Sequence, residues 1–200
     1  MTIHVRVKCE GVTPILFNRK TDELLWKLIS KEKSAKTAAA PGTPREMCEP
    51  KLYRTQKGAP YIPGEMLMSA LINAGQFIRL DGKRQVSTAK STVLPAFLTL
   101  LDHVLELPNP NWEVDLRGGV NPNGGEAVAI IRPRFDEWGF TANVLIEDTE
   151  IGEDKMRQLF DYAGTRMGLG DFRPQRKGTY GKFRVVCWDR VEQTHHEAAE

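Results

Sequence analysis

Apolar and polar residues alternate over residues 3–12 (IHVRVKCEGV), the period-two pattern of a half-buried strand, and the alternation stops at Thr13-Pro14. Over 21–31 the spacing becomes helical, with Leu24, Leu25, Leu28 and Ile29 on one face. Residues 33–50 then turn small, charged and proline-rich around "KTAAAPGTP". A small hairpin is predicted from 52–54 and 61–62 about the Gln56-Lys57-Gly58 turn. Pro63-Gly64 breaks it and opens a helix whose apolar face is Met66, Leu67, Ala70, Leu71, Ala74 and Phe77-Ile78. Residues 93–107 are strongly apolar and fit one or two buried strands, with a helix as the alternative. "LRGGVNPNGGEA" reads as a glycine-rich excursion, and "AVAIIRPRF", "DEWG" and "FTANVLIE" as an antiparallel hairpin. Met156, Leu159, Phe160 and Ala163 mark a second amphipathic helix with Thr149 and Glu153 as its capping residues. Residues 164–181 form a glycine-rich loop, and 182–189 the final strand.

Reduced to its order, the chain is strand, insertion, helix, strand, excursion, strand hairpin, helix, glycine-rich loop, strand. That order predicts an α+β fold, a ferredoxin-like, RRM-like antiparallel sheet with two helices on one face and the other face free for a ligand. One domain over 1–200 is expected, with a mobile insertion over 31–57 and a disordered tail over 192–200.

Two hundred residues, 40% hydrophobic and 27% charged, suffice to bury one core. No apolar run reaches the roughly 18 residues of a membrane span, and the alternating start is unlike a signal peptide, so the expected location is cytoplasmic, with no membrane partner. Cys9, Cys48 and Cys187 are widely spaced without a CxxC, which argues against zinc, a disulfide framework or a metal cofactor; buried thiols are the expectation for Cys9 and Cys187. A net charge of +2 by itself predicts no polyanionic partner. Its distribution changes that picture. Between residues 164 and 184, Arg166, Arg173, Arg176, Lys177, Lys182 and Arg184 face a single acid, Asp171, and 31–57 is also basic. Segregated signs fit one basic face, the footprint of a nucleic-acid binder.

The stretch "MGLGDFRPQRKGTYGKF" (167–183) concentrates that chemistry. Gly168, Gly170, Gly178 and Gly181 free the backbone for positive φ and close approach. Exposed N–H groups with Arg173, Arg176, Lys177 and Lys182 suit phosphate oxygens. Phe172 and Tyr180 suit stacking on unpaired bases, worth roughly 1–3 kcal/mol each where it occurs. The competing reading is an ordinary helix end followed by a long turn, with Phe172 in the core. Neither G-x-G-x-x-G nor a Walker pattern is present, so a mononucleotide site is poorly supported.

The same stretch resembles the glycine-rich loop of the RAMP superfamily of CRISPR-associated proteins, which follows the second helix of a ferredoxin-like fold; here the last glycines, Gly178 and Gly181, are separated by two residues where the family has one. "KGAPYIPGEMLMSALINA" (57–74) is similar to the helix-opening G-x-P-Y-I-P-G block of Cas7-type backbone subunits. Gly58, Pro60, Tyr61, Ile62, Pro63, Gly64 and Leu67 match; Glu65, Met66, Met68 and Ser69 depart from it. "VKCEGVTPILFNR" resembles the family's first strand. The resemblance implies binding of single-stranded guide RNA along the sheet face and the loop, with copies of the chain and other effector-complex subunits as partners; single-stranded DNA or an RNA target are alternatives. It also implies a thumb-like insertion, for which 31–57 with Lys51, Arg54 and Lys57 is the candidate and "RGGVNPNGG" a second excursion. Arg132 and Arg134 flank Pro133 and face one side by period-two geometry, either the binding face or solvent.

Some relatives cut RNA. Cas6-type members use a histidine near the first helix, and His4, His103, His195 and His196 all lie elsewhere. Type III Cas7-type subunits use an aspartate in the insertion, where this chain offers Glu46 and Glu49 nearest the hairpin, neither an aspartate nor with an evident basic partner. The expectation is therefore no enzyme and no cofactor, with a metal-dependent RNA endonuclease as one rival and a phage-encoded interaction module without nucleic acid as another.

Overall fold

The strands, in chain order, are β1 (Thr2–Gly11), β2 (Ile15–Leu16), β3 (Tyr61–Pro63), β4 (Leu98–Leu100), β5 (Val104–Glu106), β6 (Glu113–Val120), β7 (Ala127–Phe135), β8 (Gly139–Glu147) and β9 (Phe183–Arg190). The helices are α1 (Asp22–Ser30), α2 (Pro44–Cys48), α3 (Gly64–Ala74) and α4 (Glu153–Tyr162). The computed structural model describes residues 2–30, 42–80, 82–120, 124–147 and 151–192. Among these, no helix is long and apolar enough to cross a membrane.

Four strands make an antiparallel sheet in the order β4-β8-β1-β9. Taken with the helices, β1-α3-β4-β8-α4-β9 runs strand, helix, strand, strand, helix, strand, with the first strand between the third and the last. This is the ferredoxin-like arrangement. Its register follows the alternation of β1: Val5 pairs with Val144 and Val7 with Ala142, and all four side chains are buried. Leu67 and Leu71 of α3 and Met156, Leu159 and Phe160 of α4 join them in one core. The opposite residues of β1, including Arg6 and Lys8, stay on the open face.

Two insertions elaborate the sheet. After β1 the chain forms β2, α1 and α2 before β3, and between β4 and β8 it forms β5, β6 and β7. A second sheet, β2-β7-β6, results, and β3 pairs with β5. The hairpin predicted from "AVAIIRPRF" and "FTANVLIE" does not form. β7 pairs with β6 (Asp115 opposite Arg132) and with β2, whereas β8 pairs with β1 and β4. Trp138 in the connecting turn is buried and donates its indole N–H to the Thr13 carbonyl at 2.8 Å, fixing the point where the chain passes between sheets. The glycine-rich excursion is the hairpin instead: its arms are β6 and β7.

The expected mobile insertion divides. Residues 31–41 lie outside the described residues. From Thr43 to Leu52 the chain is a capped helical segment against β7, with Cys48 and Leu52 buried. The tail lies outside the described residues from 193 onward. So does the proposed cap Thr149; α4 follows Gly152, and Glu153 turns towards β9 rather than capping the helix. Glu153 accepts from the Trp188 indole at 2.8 Å and from the Arg190 guanidinium, and Arg190, Trp188 and that ion pair hold its carboxyl below the usual 4.5. A carboxyl with a depressed folded pKa adds stability above its unfolded value and loses it as pH falls through the folded value. The urea midpoints of the wild type and Glu153→Gln should thus differ at neutral pH and converge below the ordinary glutamate range. A gap unchanged by acid would refute the linkage.

Candidate nucleic-acid interface

α4 runs on into a π-helical turn, Ala163–Met167, and then into the glycine-rich loop. The loop is docked on the segment after β1. Leu169 donates its N–H to the Gly181 carbonyl at 2.9 Å, Gly181 to Pro14 at 2.8 Å and Asp171 to Leu16 at 2.7 Å. Gly170 has φ +75°, and a Cβ there would lie 2.4 Å from the Leu16 carbonyl oxygen. Only glycine permits that conformation at that distance.

This corrects the expectation of a phosphate cradle built from free amides. The N–H groups of Gly168, Gly178 and Tyr180 are given to Ala163, Arg173 and Phe172 carbonyls, and that of Gly170 to the Met66 sulfur. An anion at this loop meets side chains. Arg176 and Lys177 are exposed and have no carboxylate partner among the described residues. Lys182 is half-buried, with its N–H on the Thr13 hydroxyl. Arg173 is half-buried and donates to the Gly170 carbonyl at 2.8 Å; burial, then the nearby Arg176, push its pKa below the usual arginine value.

Phe172 is not a core plug. It is 41% exposed with φ +51°, a left-handed conformation rare for a bulky residue. Its ring lies 6.2 Å from that of Tyr180. The β6–β7 hairpin closes on this pair. Arg117 stacks over Tyr180, its guanidinium carbon 4.8 Å from the ring centroid, and also contacts the phenolic oxygen. Arg132 stands 5.9 Å from the Phe172 centroid and 3.4 Å from the Asp171 carboxylate, which also accepts from Asn18 at 3.1 Å. Arg117 binds Asp115 at 2.8 Å, and Asp115 is only 4% exposed. The Tyr180 contact, then Asp115, hold the Arg117 pKa above its usual value. The result is a half-open shelf of two rings edged by guanidinium groups.

Other predicted residues are placed elsewhere. Arg134 shares the Arg132 face, as period-two geometry requires, but pairs with Glu113 at 2.9 Å and Asp136 at 2.8 Å. Lys51 reaches the Ile131 carbonyl behind β7. Arg54 is tied to Glu49 at 2.6 Å and to the Gly58 carbonyl at 2.7 Å, and Lys57 is exposed on that same turn. Glu46 accepts the Thr43 N–H at 2.7 Å in a reciprocal capping box. The candidate catalytic carboxylates Glu46 and Glu49 are therefore a cap and an ion-pair partner. Arg117, Asp115 and Asn18 escaped the sequence reading; the alternation Val114, Asp115, Leu116, Arg117 was the signal for two of them.

The open face of the four-stranded sheet offers no exposed ring on β1 or β8, and its arginines are engaged: Arg184 lies 3.4 Å from Glu10. A cleft of about 810 Å³ at its edge is lined by Glu10, Asp102, Glu106 and Glu137 against Lys8. That sign is wrong for a polyanion.

No family model matches the chain, and no curated protein does. Among solved structures it is similar to a chain of the cryo-EM structure of the type III-B Cmr-beta bound to cognate target RNA, with a TM-score of 0.56 at 13% identity. The likeness covers 96% of this chain and 61% of that one, so this chain spans less than two thirds of its neighbour. At that identity the similarity is one of fold.

Proposed function

We propose that this protein binds single-stranded RNA as a subunit of a CRISPR-type ribonucleoprotein, with the shelf where the glycine-rich loop meets the β6–β7 hairpin as its contact surface. The observation that carries this reading is the strained, outward-facing Phe172 beside Tyr180, with Arg176 and Lys177 unpaired among the described residues next to them. Rings that stack on bases and cations that meet phosphates are the two parts of a single-strand site. The ferredoxin-like order and a fold neighbour that is a chain of a complex bound to target RNA support it. In this proposal the RNA is contacted through the loop rather than along the open sheet, whose cleft is lined by acids. Repetition of the subunit along a guide RNA, with other effector subunits as neighbours, belongs to the same proposal.

The test is anisotropy of labelled single-stranded RNA at low salt. Arg176→Ala with Lys177→Ala should weaken binding roughly tenfold or more and flatten its salt dependence, with thermal stability little changed. This pair is preferred to Arg173, which also supports the loop backbone. Unchanged affinity in the double variant would overturn the assignment. The protein acts in this reading as a binder and not a nuclease; regular cleavage of RNA with Mg²⁺ present would refute that part.

A further inference from the structure

Arg166 differs from the arginines of the shelf. Arg117 and Arg132 meet carboxylates and Arg173 meets a carbonyl, whereas no carboxylate among the described residues lies within ion-pair distance of Arg166. It is nonetheless held in place. Its guanidinium carbon lies 4.5 Å from the Tyr162 ring centroid and 4.6 Å from that of Phe77, and the two rings are 6.0 Å apart, edge to face. Tyr162 and Arg166 are four residues apart on one helical face. Phe77 comes from the turn after α3 and is 46% exposed, so the ring that meets Arg166 stays partly open to solvent.

The backbone beneath is equally fixed. The π-helical turn carrying Arg166 presses on β9 so closely that a Cβ on Gly164 would lie 2.2 Å from the Phe183 carbonyl oxygen. π-helical turns recur at functional sites. Two residues later the chain enters the glycine-rich loop, where the Arg173 Cβ lies 3.2 Å from the place a Gly168 Cβ would occupy. Beyond Phe77, Leu80 donates its N–H to the Arg84 carbonyl at 2.8 Å, and Arg79 is exposed with its guanidinium on the Gly82 carbonyl at 2.9 Å. Along the chain Arg166 is thus followed by the loop cations Arg173 and Arg176, and its ring partner Phe77 is followed by the exposed Arg79.

A guanidinium laid on aromatic rings keeps its N–H edge free, and that edge matches a phosphate in bidentate geometry. We infer that Arg166, clamped by Phe77 and Tyr162, is a further backbone-phosphate contact that carries the RNA strand beyond the loop and across the α3–α4 end of the molecule. This inference rests on the RNA-binding reading and deepens it by giving the strand a direction. The ligand is the sugar-phosphate backbone, so the contact is indifferent to base identity.

The experiment measures binding of labelled single-stranded oligouridine and oligoadenosine by the full chain across a salt series, for the wild type, Arg166→Gln, Arg166→Lys and Arg176→Ala. Arg166→Gln should weaken both RNAs by about tenfold and make the log K against log salt slope shallower by about 0.7, with an unchanged melting temperature. Arg166→Lys should keep the wild-type slope and recover only part of the affinity. If Arg166→Gln leaves affinity and slope as in the wild type while Arg176→Ala weakens binding, the inference falls and the loop assignment stands. A weaker complex with an unaltered slope would also overturn it, pointing to a protein-facing or structural arginine. Failure of the wild type to bind either RNA would defeat the functional reading itself.

Discussion

Gly181→Ala should cost about 2–5 kcal/mol of folding stability, the sum of a left-handed backbone forced on alanine (roughly 1–2 kcal/mol) and overpacking (roughly 1–3 kcal/mol). At φ +70° its Cβ would lie 1.8 Å from the Leu169 carbonyl oxygen. Relaxation is blocked on both sides, because the Gly181 N–H is bonded to Pro14 and its carbonyl accepts from Leu169. The control is Gly58→Ala. Gly58 has φ +85° but nothing within 4 Å of a Cβ, so only the conformational part, about 1–2 kcal/mol, should appear. Urea midpoints of the two variants measure the difference. Since a domain of this kind has about 5–15 kcal/mol in total, the Gly181 variant should also lose the Tyr180 side of the shelf and with it RNA affinity. Equal losses at the two positions would mean that the loop is not docked as described.

That contrast also marks how far the residues alone reveal the site. The glycine spacing of 167–183 singles out the right loop, but the purpose of the glycines depends on Pro14 and Leu16, over 150 residues earlier in the chain. Without those partners the amides look free, and a phosphate cradle is the natural reading. The ferredoxin-like order is legible because β1, α3, α4 and β9 each carry a clear period. The hairpin is not, for a related reason: Gly118 and Gly119 interrupt the alternation of β6, so the pattern groups its neighbour β7 with β8. Period two correctly puts Arg132 and Arg134 on one face, yet not the acids across from them, which depend on the β6–β7 register. Likewise the four-residue spacing of Tyr162 and Arg166 is visible, whereas Phe77 reaches them only through the packing of α3 on α4.

The second large effect is expected at Arg117. Its partner Asp115 is 4% exposed, and Arg117 is the residue that donates to its carboxylate. Arg117→Met removes the donor while keeping the aliphatic stem, and leaves a buried carboxylate without its ion pair, for which a loss of about 2–4 kcal/mol is expected. The low end applies if Arg132, directly across in register, moves to compensate. Asp115→Leu combined with Arg117→Met should recover most of that loss, because a buried ion pair replaced by apolar side chains of similar size is often close to neutral. Stability and binding should then separate. The double variant no longer ties the hairpin to the Tyr180 ring and hydroxyl, so it should fold like the wild type and still bind RNA more weakly. If it binds as tightly as the wild type, the hairpin contributes nothing to the shelf beyond packing, and the RNA contact belongs to the glycine-rich loop alone.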